Sequence, residues 1–289
     1  MGHLLGVNDL TNEQVRELMT LARRLKEGEE VRVRGRAVLF FAEPSTRTRL
    51  SFEAGARRAG LEVQTVNAHE SSAVKGESFY DTLRTLEALG ADFTVFRVPF
   101  VLWPYGEVTG VKSALINAGD GTREHPTQAL VDLFTLLERL GSVEGLRVLF
   151  VGDVKYSRVF RSERVLLERF GARVGVCGPA TLIPRGLEGV ELFYELDEAL
   201  GWADAVVWLR LQRERQKEKE VPSLSSYFKL FGLTRERYKR VKLFLHPGPV
   251  NANVDVEEEL IYAPKSLVAE QVRNGPFVRA ALFALLKSW

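Results

Sequence analysis

Residues 43–49 read Glu-Pro-Ser-Thr-Arg-Thr-Arg and directly follow the apolar run Ala37-Val38-Leu39-Phe40-Phe41. A strand ends there, Pro44 breaks it, and Ser45 stands where a helix can be capped. The first turn then carries Thr46, Arg47, Thr48 and Arg49. Free amides at a helix start attract an anion. Hydroxyls and guanidinium forks beside them make a dense phosphate site. A capped helix with solvated arginines is the simpler account of a lone Ser-x-x-Arg start. It leaves a whole turn of polar residues without a purpose. The usual nucleotide loop, G-x-x-x-x-G-K-[ST], occurs nowhere in the chain.

Polar groups collect in the same way after other apolar runs. Arg97 closes Phe93-Thr94-Val95-Phe96. His125 and Gln128 follow the strand-loop 115–121. Lys155, Tyr156 and Arg158 follow Val151-Gly152-Asp153. Arg210 and Gln212 follow Val206-Val207-Trp208-Leu209, and His246-Pro247-Gly248-Pro249 follows Leu243-Phe244-Leu245. In open α/β sheets ligands bind beyond the carboxyl ends of the strands. Ends rich in cations and hydrogen-bonding groups, with few carboxylates, suit a small and strongly anionic substrate pair.

The elements that must position these groups alternate. Thr11 to Gln14 has capping-box form and opens a helix whose apolar positions are Val15, Leu18, Met19, Ala22 and Leu25. Strands are expected at 37–41, 61–66, 93–98 and 114–117, and helices at 45–59, 77–89 and 126–141. Gly141 to Gly145 marks a domain boundary. Beyond it, strands are expected at 147–151, 172–176, 205–209 and 242–245. Runs rich in Val, Leu and Phe suit parallel strands covered on both faces. The expected fold class is therefore α/β, with two domains, each a mostly parallel sheet flanked by helices. A final helix is expected over 266–288, interrupted at Asn274-Gly275-Pro276. The charged run 212–220 reads mostly as a solvated loop or helix face, apart from its first residues at a strand end.

Composition narrows the class further. The chain has 289 residues, 40 basic against 38 acidic and a net charge of +2. That gives no bulk argument for nucleic acid or an anionic membrane. One cysteine, Cys177, excludes an internal disulfide and a cysteine-based metal cluster. His3, His69, His125 and His246 show no metal-ligand spacing, so no metal and no cofactor is expected. No apolar stretch is long enough to span a bilayer, and the N-terminus shows no signal-peptide core, so a cytoplasmic protein is expected. A dehydrogenase would need a glycine-rich first turn, and Val151-Gly152-Asp153-Val154-Lys155 has one glycine. A periplasmic-type anion binder would share the two-domain α/β form, but it would need a signal peptide, which is not expected here, and it leaves His125 without a purpose. A purely structural protein leaves the strand-end pattern without a purpose.

Taken together, these segments resemble the aspartate carbamoyltransferase catalytic chains of the aspartate/ornithine transcarbamoylase superfamily, over nearly the whole length. Residues 43–49 look like its carbamoyl-phosphate signature, and Ser71-Ser72-Ala73-Val74-Lys75-Gly76-Glu77-Ser78 resembles the Ser/Lys loop of the aspartate-specific branch. His125-Pro126-Thr127-Gln128, residues 151–158, Arg210-Leu211-Gln212 and residues 245–249 also match. The resemblance implies transfer of a carbamoyl group from carbamoyl phosphate to L-aspartate, an early step of pyrimidine biosynthesis. It implies that Ser45, Thr46, Arg47, Thr48 and Arg97 hold the phosphate. Thr48, Arg97 and His125 would bond the carbamoyl oxygen, and Gln128 with the backbone at Pro247, Gly248 and Pro249 the carbamoyl nitrogen side. Arg158, Arg210 and Gln212 would bind the carboxylates of aspartate, joined by Lys75. Ser71 and Lys75 would reach the site of a neighbouring subunit in a homotrimer, free or joined by regulatory or dihydroorotase chains. Residues 1–140, completed by the C-terminal helix about 266–289 packing back on them, would bind carbamoyl phosphate. Residues 141–265 would bind aspartate.

The ornithine-specific branch fits less well. Its His-Cys-Leu-Pro element reads His246-Pro247-Gly248-Pro249 here, and a cationic acceptor would be mismatched to Arg158 and Arg210. Two positions depart from the family pattern: Val98 stands where His is common, and Ala252 where many relatives have Arg. Glu43 is read as a brace for Arg158 or Arg161.

Overall fold

The computed structural model describes residues 2–67, 77–108, 110–215, 220–221 and 223–289. The chain forms two compact units, residues 1–134 with 272–289, and residues 135–271.

In the first unit α1 (Asn12–Lys26) is closed at its start by the expected capping box. Thr11 Oγ1 accepts from the Gln14 amide, and Gln14 Oε1 accepts from the Thr11 amide at 2.9 Å. Then follow β1 (Arg36–Phe41), α2 (Thr46–Arg58), β2 (Glu62–Asn67), α3 (Phe79–Ala88), β3 (Phe93–Val98), β4 (Ala114–Asp120) and the start of α4 (Pro126–Leu140), whose residues from Thr135 belong to the second unit. The strands pair in parallel in the order β2-β1-β3-β4. β4 runs past the expected end at Asn117 because its polar residues are satisfied inside the unit. Asn117 Nδ2 donates to the Leu5 carbonyl at 2.8 Å and to Asp120 Oδ1 at 2.9 Å.

The last helix, α9 (Val268–Leu286), corrects the sequence reading. It is continuous, and Pro276 lies inside it. Proline there removes one backbone bond, to the carbonyl of Val272. Val272 is 53% exposed, so this turn of the helix lies at the surface. The helix packs tightly on α2. A Cβ on Gly55 would lie 2.8 Å from Arg279 Cβ and 2.9 Å from the Pro276 carbonyl oxygen, and one on Gly275 would lie 2.4 Å from Ser51 Oγ. Glycine at both positions lets the helices approach. Arg279 is enclosed at this crossing. It donates to Ser51 Oγ at 2.7 Å, lies over the Phe52 ring at 4.7 Å, and has its guanidinium pushed down to about 10 by burial, opposed by Asp132. Phe283 meets Phe52 and Phe93 edge-on, with ring centroids 6.1 and 5.2 Å apart.

The second unit contains β5 (Arg147–Val151), α5 (Arg158–Arg169), β6 (Arg173–Cys177), β7 (Glu191–Phe193), α6 (Leu196–Trp202), β8 (Ala205–Trp208), α7 (Leu224–Phe231), α8 (Arg235–Arg240) and β9 (Phe244–Leu245). Its parallel sheet has the order β7-β6-β5-β8-β9. β9 is shorter than expected because it is an edge strand. Its outer side is taken by the chain at 265–267, where the Phe244 amide donates to the Lys265 carbonyl and the Leu267 amide to that of Phe244. Trp208, at the end of β8, is buried and donates through Nε1 to the Phe231 carbonyl at 3.0 Å. Burial pushes the Cys177 thiol up to about 12, which fits a packing role.

Each sheet reverses its winding once, between β1 and β3 in the first unit and between β5 and β8 in the second. The crevice at such a reversal, outside the carboxyl ends of the two strands, is where an α/β sheet takes its ligand.

No described helix is long and apolar enough to cross a membrane. Among the described residues no cluster of three or more His, Cys, Asp or Glu side chains could hold a metal ion.

Candidate active site

The first crevice is lined by the phosphate-type turn. Ser45 is the N-cap of α2 in an extended conformation, yet its hydroxyl makes no capping bond. Thr46 and Arg47 are exposed, Ser45 is half-buried, and Thr48 is buried at the start of the helix. Across the reversal, Arg97 is the penultimate residue of β3, in register with Phe41 of β1, and the Ala42 amide donates to the Arg97 carbonyl at 2.8 Å. Its guanidinium donates through Nη1 to the Ala118 carbonyl at 3.3 Å. Glu43, read in the sequence as a brace for Arg158 or Arg161, carries an ion pair inside its own unit, with Arg97 Nε at 3.0 Å. Beyond the neighbouring β4, His125 directly precedes α4 and is buried. Gln128 lies in the first turn of α4, its amide donating to the His125 carbonyl at 3.0 Å and its Nε2 to buried Asp132 Oδ1 at 2.9 Å.

The loop that delivers His125 is held by Asp120. Its Oδ2 accepts from the Leu102 amide at 3.1 Å, and its Oδ1 from the Glu124 amide at 3.1 Å. None of this support was visible as a motif. The partners are far apart in sequence, and Asp120 alone reads as a turn residue.

In the second unit, β5 ends at Gly152 and Asp153. Gly152 has φ +112° and leaves no room for a side chain, since a Cβ would lie 2.5 Å from the Tyr227 hydroxyl. Asp153 is buried. Its Oδ1 accepts from the Tyr156 amide at 3.2 Å and its Oδ2 from the Gln212 amide at 3.0 Å, so one carboxylate joins the loops after β5 and β8. Gln212 adds Nε2 to the Tyr156 carbonyl at 3.2 Å. Arg158 opens α5 and is buried, behind Ser157, whose Oγ accepts from the Phe160 amide at 3.1 Å. Arg210, beyond β8, is paired with Glu214. Lys155 is paired with Glu220 at 2.5 Å, and the Tyr156 hydroxyl donates to the same Glu220 Oε1 at 3.3 Å. Glu214 and Glu220 therefore belong to the site region, although their stretch reads as a solvated charge run.

Gly248 and Pro249 follow β9. Gly248 adopts φ +71°, and its peptide to Pro249 is cis. Tyr227 is fully enclosed. Burial first, and then Asp255 and Asp153, push its phenol well above its ordinary range.

The structure thus sets Ser45, Thr46, Arg47, Thr48 and Arg97 at one reversal, with His125 and Gln128 beyond the adjoining strand. It sets Arg158, Arg210 and Gln212 at the other, with Gly248 and Pro249 beyond the adjoining β9. Ser71 and Lys75 lie outside the described residues.

Comparison with known proteins agrees along the whole chain. Residues 2–138 match the aspartate/ornithine carbamoyltransferase carbamoyl-P binding domain, and residues 144–286 match the Asp/Orn binding domain. The chain is 57% identical to the aspartate carbamoyltransferase catalytic subunit of Aquifex aeolicus, over 99% of each chain. It is 44% identical to that of Prosthecochloris aestuarii, over 100% of this chain and 98% of the relative. Its fold is similar to Trypanosoma cruzi aspartate transcarbamoylase in complex with carbamoyl aspartate and phosphate. The TM-score is 0.86 at 29% identity, over 98% of this chain and 95% of the other. The catalytic subunit of M. jannaschii aspartate transcarbamoylase aligns with a TM-score of 0.82 at 30% identity, over 100% and 98%. With both of its halves matched in order, the chain belongs to the aspartate/ornithine carbamoyltransferase family.

Proposed function

We propose that this chain catalyses transfer of the carbamoyl group from carbamoyl phosphate to the amine of L-aspartate, giving N-carbamoyl-L-aspartate and phosphate for pyrimidine biosynthesis. The observation that carries the reading is the match of both halves to the family, together with anion-binding groups at the winding reversal of each sheet. In this reading the first unit binds carbamoyl phosphate through Ser45, Thr46, Arg47, Thr48, Arg97, His125 and Gln128. The second binds aspartate through Arg158, Arg210 and Gln212, and supplies Gly248 and Pro249 to the carbamoyl group. Lys75 and Ser71 act on a neighbouring subunit's site within a homotrimer, and the enzyme works in the cytoplasm without a metal or cofactor.

The chemistry suits these residue types. The aspartate amine attacks the carbamoyl carbon, a C–N bond forms, and the carbonyl oxygen takes up negative charge. Collapse expels phosphate, with the C–O bond breaking, and the amine proton leaves on a phosphate oxygen. No protein nucleophile is required. Thr48, Arg97 and His125 aimed at the carbonyl oxygen stabilise the tetrahedral state, each donor by about 3–4 kcal/mol. Holding both substrates in line contributes about 7–11 kcal/mol. Glu43 is paired with Arg97 and Glu214 with Arg210, the arginines this reading gives to the substrates. Each arginine exchanges an internal carboxylate for the substrate's.

The test is a carbamoylation assay with carbamoyl phosphate and either L-aspartate or L-ornithine, on the wild type and on Lys75→Ala. Turnover with aspartate, lost in Lys75→Ala, is expected. Turnover with ornithine alone would overturn the acceptor assignment, and full activity in the variant would remove Lys75 from the site.

A further inference from the structure

Asp255 is 1% exposed and follows β9 in the second unit. Donors from separate segments converge on its carboxylate. The Leu211 amide donates to Oδ1 at 3.2 Å, and the Asn251 amide to Oδ2 at 3.0 Å. His246 Nε2 lies 3.4 Å from Oδ2. The tautomer of His246 follows from its other contact. Its Nδ1 accepts from the Gly248 amide at 3.0 Å, so the ring proton sits on Nε2 and points at Asp255. An all-acceptor group suits this place. An amide of the same shape would set its own N–H against a donor.

Leu211 stands between Arg210 and Gln212, and Gly248 begins the Gly-Pro turn. A second tie runs the same way, because Asn251 Nδ2 donates to the Leu211 carbonyl at 3.2 Å. Leu211 is thus held through both its amide and its carbonyl by residues that follow β9. Asp153 takes the next amide, that of Gln212, at 3.0 Å.

We infer that Asp255 is a positioning residue that fixes the Arg210–Gln212 segment for the second substrate's carboxylates, by locking the loop after β8 to the loop after β9. The inference rests on the aspartate reading given above. Asp255 touches no substrate. It acts through the Leu211 backbone and, through His246, on the Gly248 amide. Its loss is expected to weaken the second substrate much more than carbamoyl phosphate.

The experiment uses the full chain. Asp255→Asn and Asn251→Ala are compared with wild type in two titrations and one kinetic assay. Carbamoyl phosphate is titrated alone. Succinate, a dicarboxylate without the reactive amine, is titrated against protein saturated with carbamoyl phosphate. Aspartate KM and kcat are then measured at saturating carbamoyl phosphate. Asp255→Asn is expected to raise the succinate Kd and the aspartate KM at least tenfold, with carbamoyl phosphate Kd within threefold of wild type. Asn251→Ala, which leaves the buried carboxylate in place, should raise the same two quantities about three- to fivefold, and Asp255→Glu should recover part of the loss. An aspartate KM and succinate Kd unchanged in folded Asp255→Asn overturn the inference. If that variant does not fold, unchanged values in Asn251→Ala overturn it. A loss of carbamoyl phosphate binding equal to that of succinate overturns it too, since it would show general damage. Wild-type protein that binds carbamoyl phosphate but neither succinate nor aspartate would instead fail the aspartate reading.

Discussion

Adding one methyl group at Gly55 tests how far the helix that begins the phosphate turn is fixed by the C-terminal helix. In Gly55→Ala the new Cβ would lie 2.8 Å from Arg279 Cβ, 2.9 Å from the Pro276 carbonyl oxygen and 3.2 Å from the Ala280 amide nitrogen. Carbon atoms in good contact are about 3.5–4.0 Å apart, so the helices must separate by roughly 0.5–1 Å. Two of the three obstacles are backbone atoms that cannot rotate away. Overpacking of this kind costs about 1–3 kcal/mol, and this site belongs in the upper half of that range. Alanine returns about 0.8–1 kcal/mol in helix propensity. The net expectation is a loss of about 1–2 kcal/mol. Because α2 begins at Thr46, its shift also displaces Thr46 and Thr48. A misplacement near 1 Å can cost up to about a hundredfold in rate. Urea unfolding followed by circular dichroism, with carbamoyl phosphate titration, reads both effects. The matched control is Gly201→Ala in α6, where the added methyl meets only Arg240 Nη2 at 4.0 Å. That variant should be unchanged or stabilised by up to about 1 kcal/mol. If Gly55→Ala is as stable as wild type and binds carbamoyl phosphate equally well, the close crossing does not position the turn.

His125→Ala should lower kcat by about 10²–10³ while carbamoyl phosphate Kd changes less than kcat does, because the lost donor acts on the charge of the tetrahedral state; an unaltered kcat would refute that role. Asp204 is held below the ordinary carboxylate range by hydrogen bonds from Arg147, then Lys242, against an opposing burial effect. A depressed folded value means stability present above the unfolded pKa, near 3.9, and lost as pH falls below it. Wild type should therefore exceed Asp204→Asn in unfolding free energy at pH 7, with the gap narrowing steadily as pH falls below about 4; a gap independent of pH would refute the assignment. Cys177 should resist a thiol reagent at pH 8 in native protein and react fully in guanidinium chloride, and rapid native labelling would contradict its burial.

Much of this site could be read in the sequence because its groups follow strand ends, and strand ends announce themselves by an apolar run followed by a breaker. That pattern alone puts Arg97, His125, Arg158 and Arg210 at strand ends. Strand order could not be read in the same way. Which ends flank a winding reversal depends on pairings such as Phe41 with Arg97, which have no local signal. Support was hidden for the same reason. Asp255, Asp120 and Arg279 act across long sequence separations, and each looks ordinary among its neighbours. Pro276 differs in kind, because its local signal points to a break that α9 does not have. The rule that proline breaks helices assumes that the lost bond and the ring clash go uncompensated, and in α9 tight packing on α2 outweighs them. The short β7 was missed because its residues, Glu191 to Phe193, sit at an exposed sheet edge with no buried face to impose alternation.

The first unit is not continuous in the sequence, because residues 272–289 complete it. On the ribosome these residues emerge only after the whole of 135–271. During that interval the nascent first unit has its sheet and α2 but not Arg279 or Phe283, so Phe52 and Phe93 lack their edge-on partner. At chain elongation of about 5–20 residues per second the exposed patch persists for roughly ten to thirty seconds. The second unit, contiguous from 135 to 271, is complete 18 residues earlier, about one to four seconds before the first. Vectorial synthesis therefore completes the later-made unit before the earlier one.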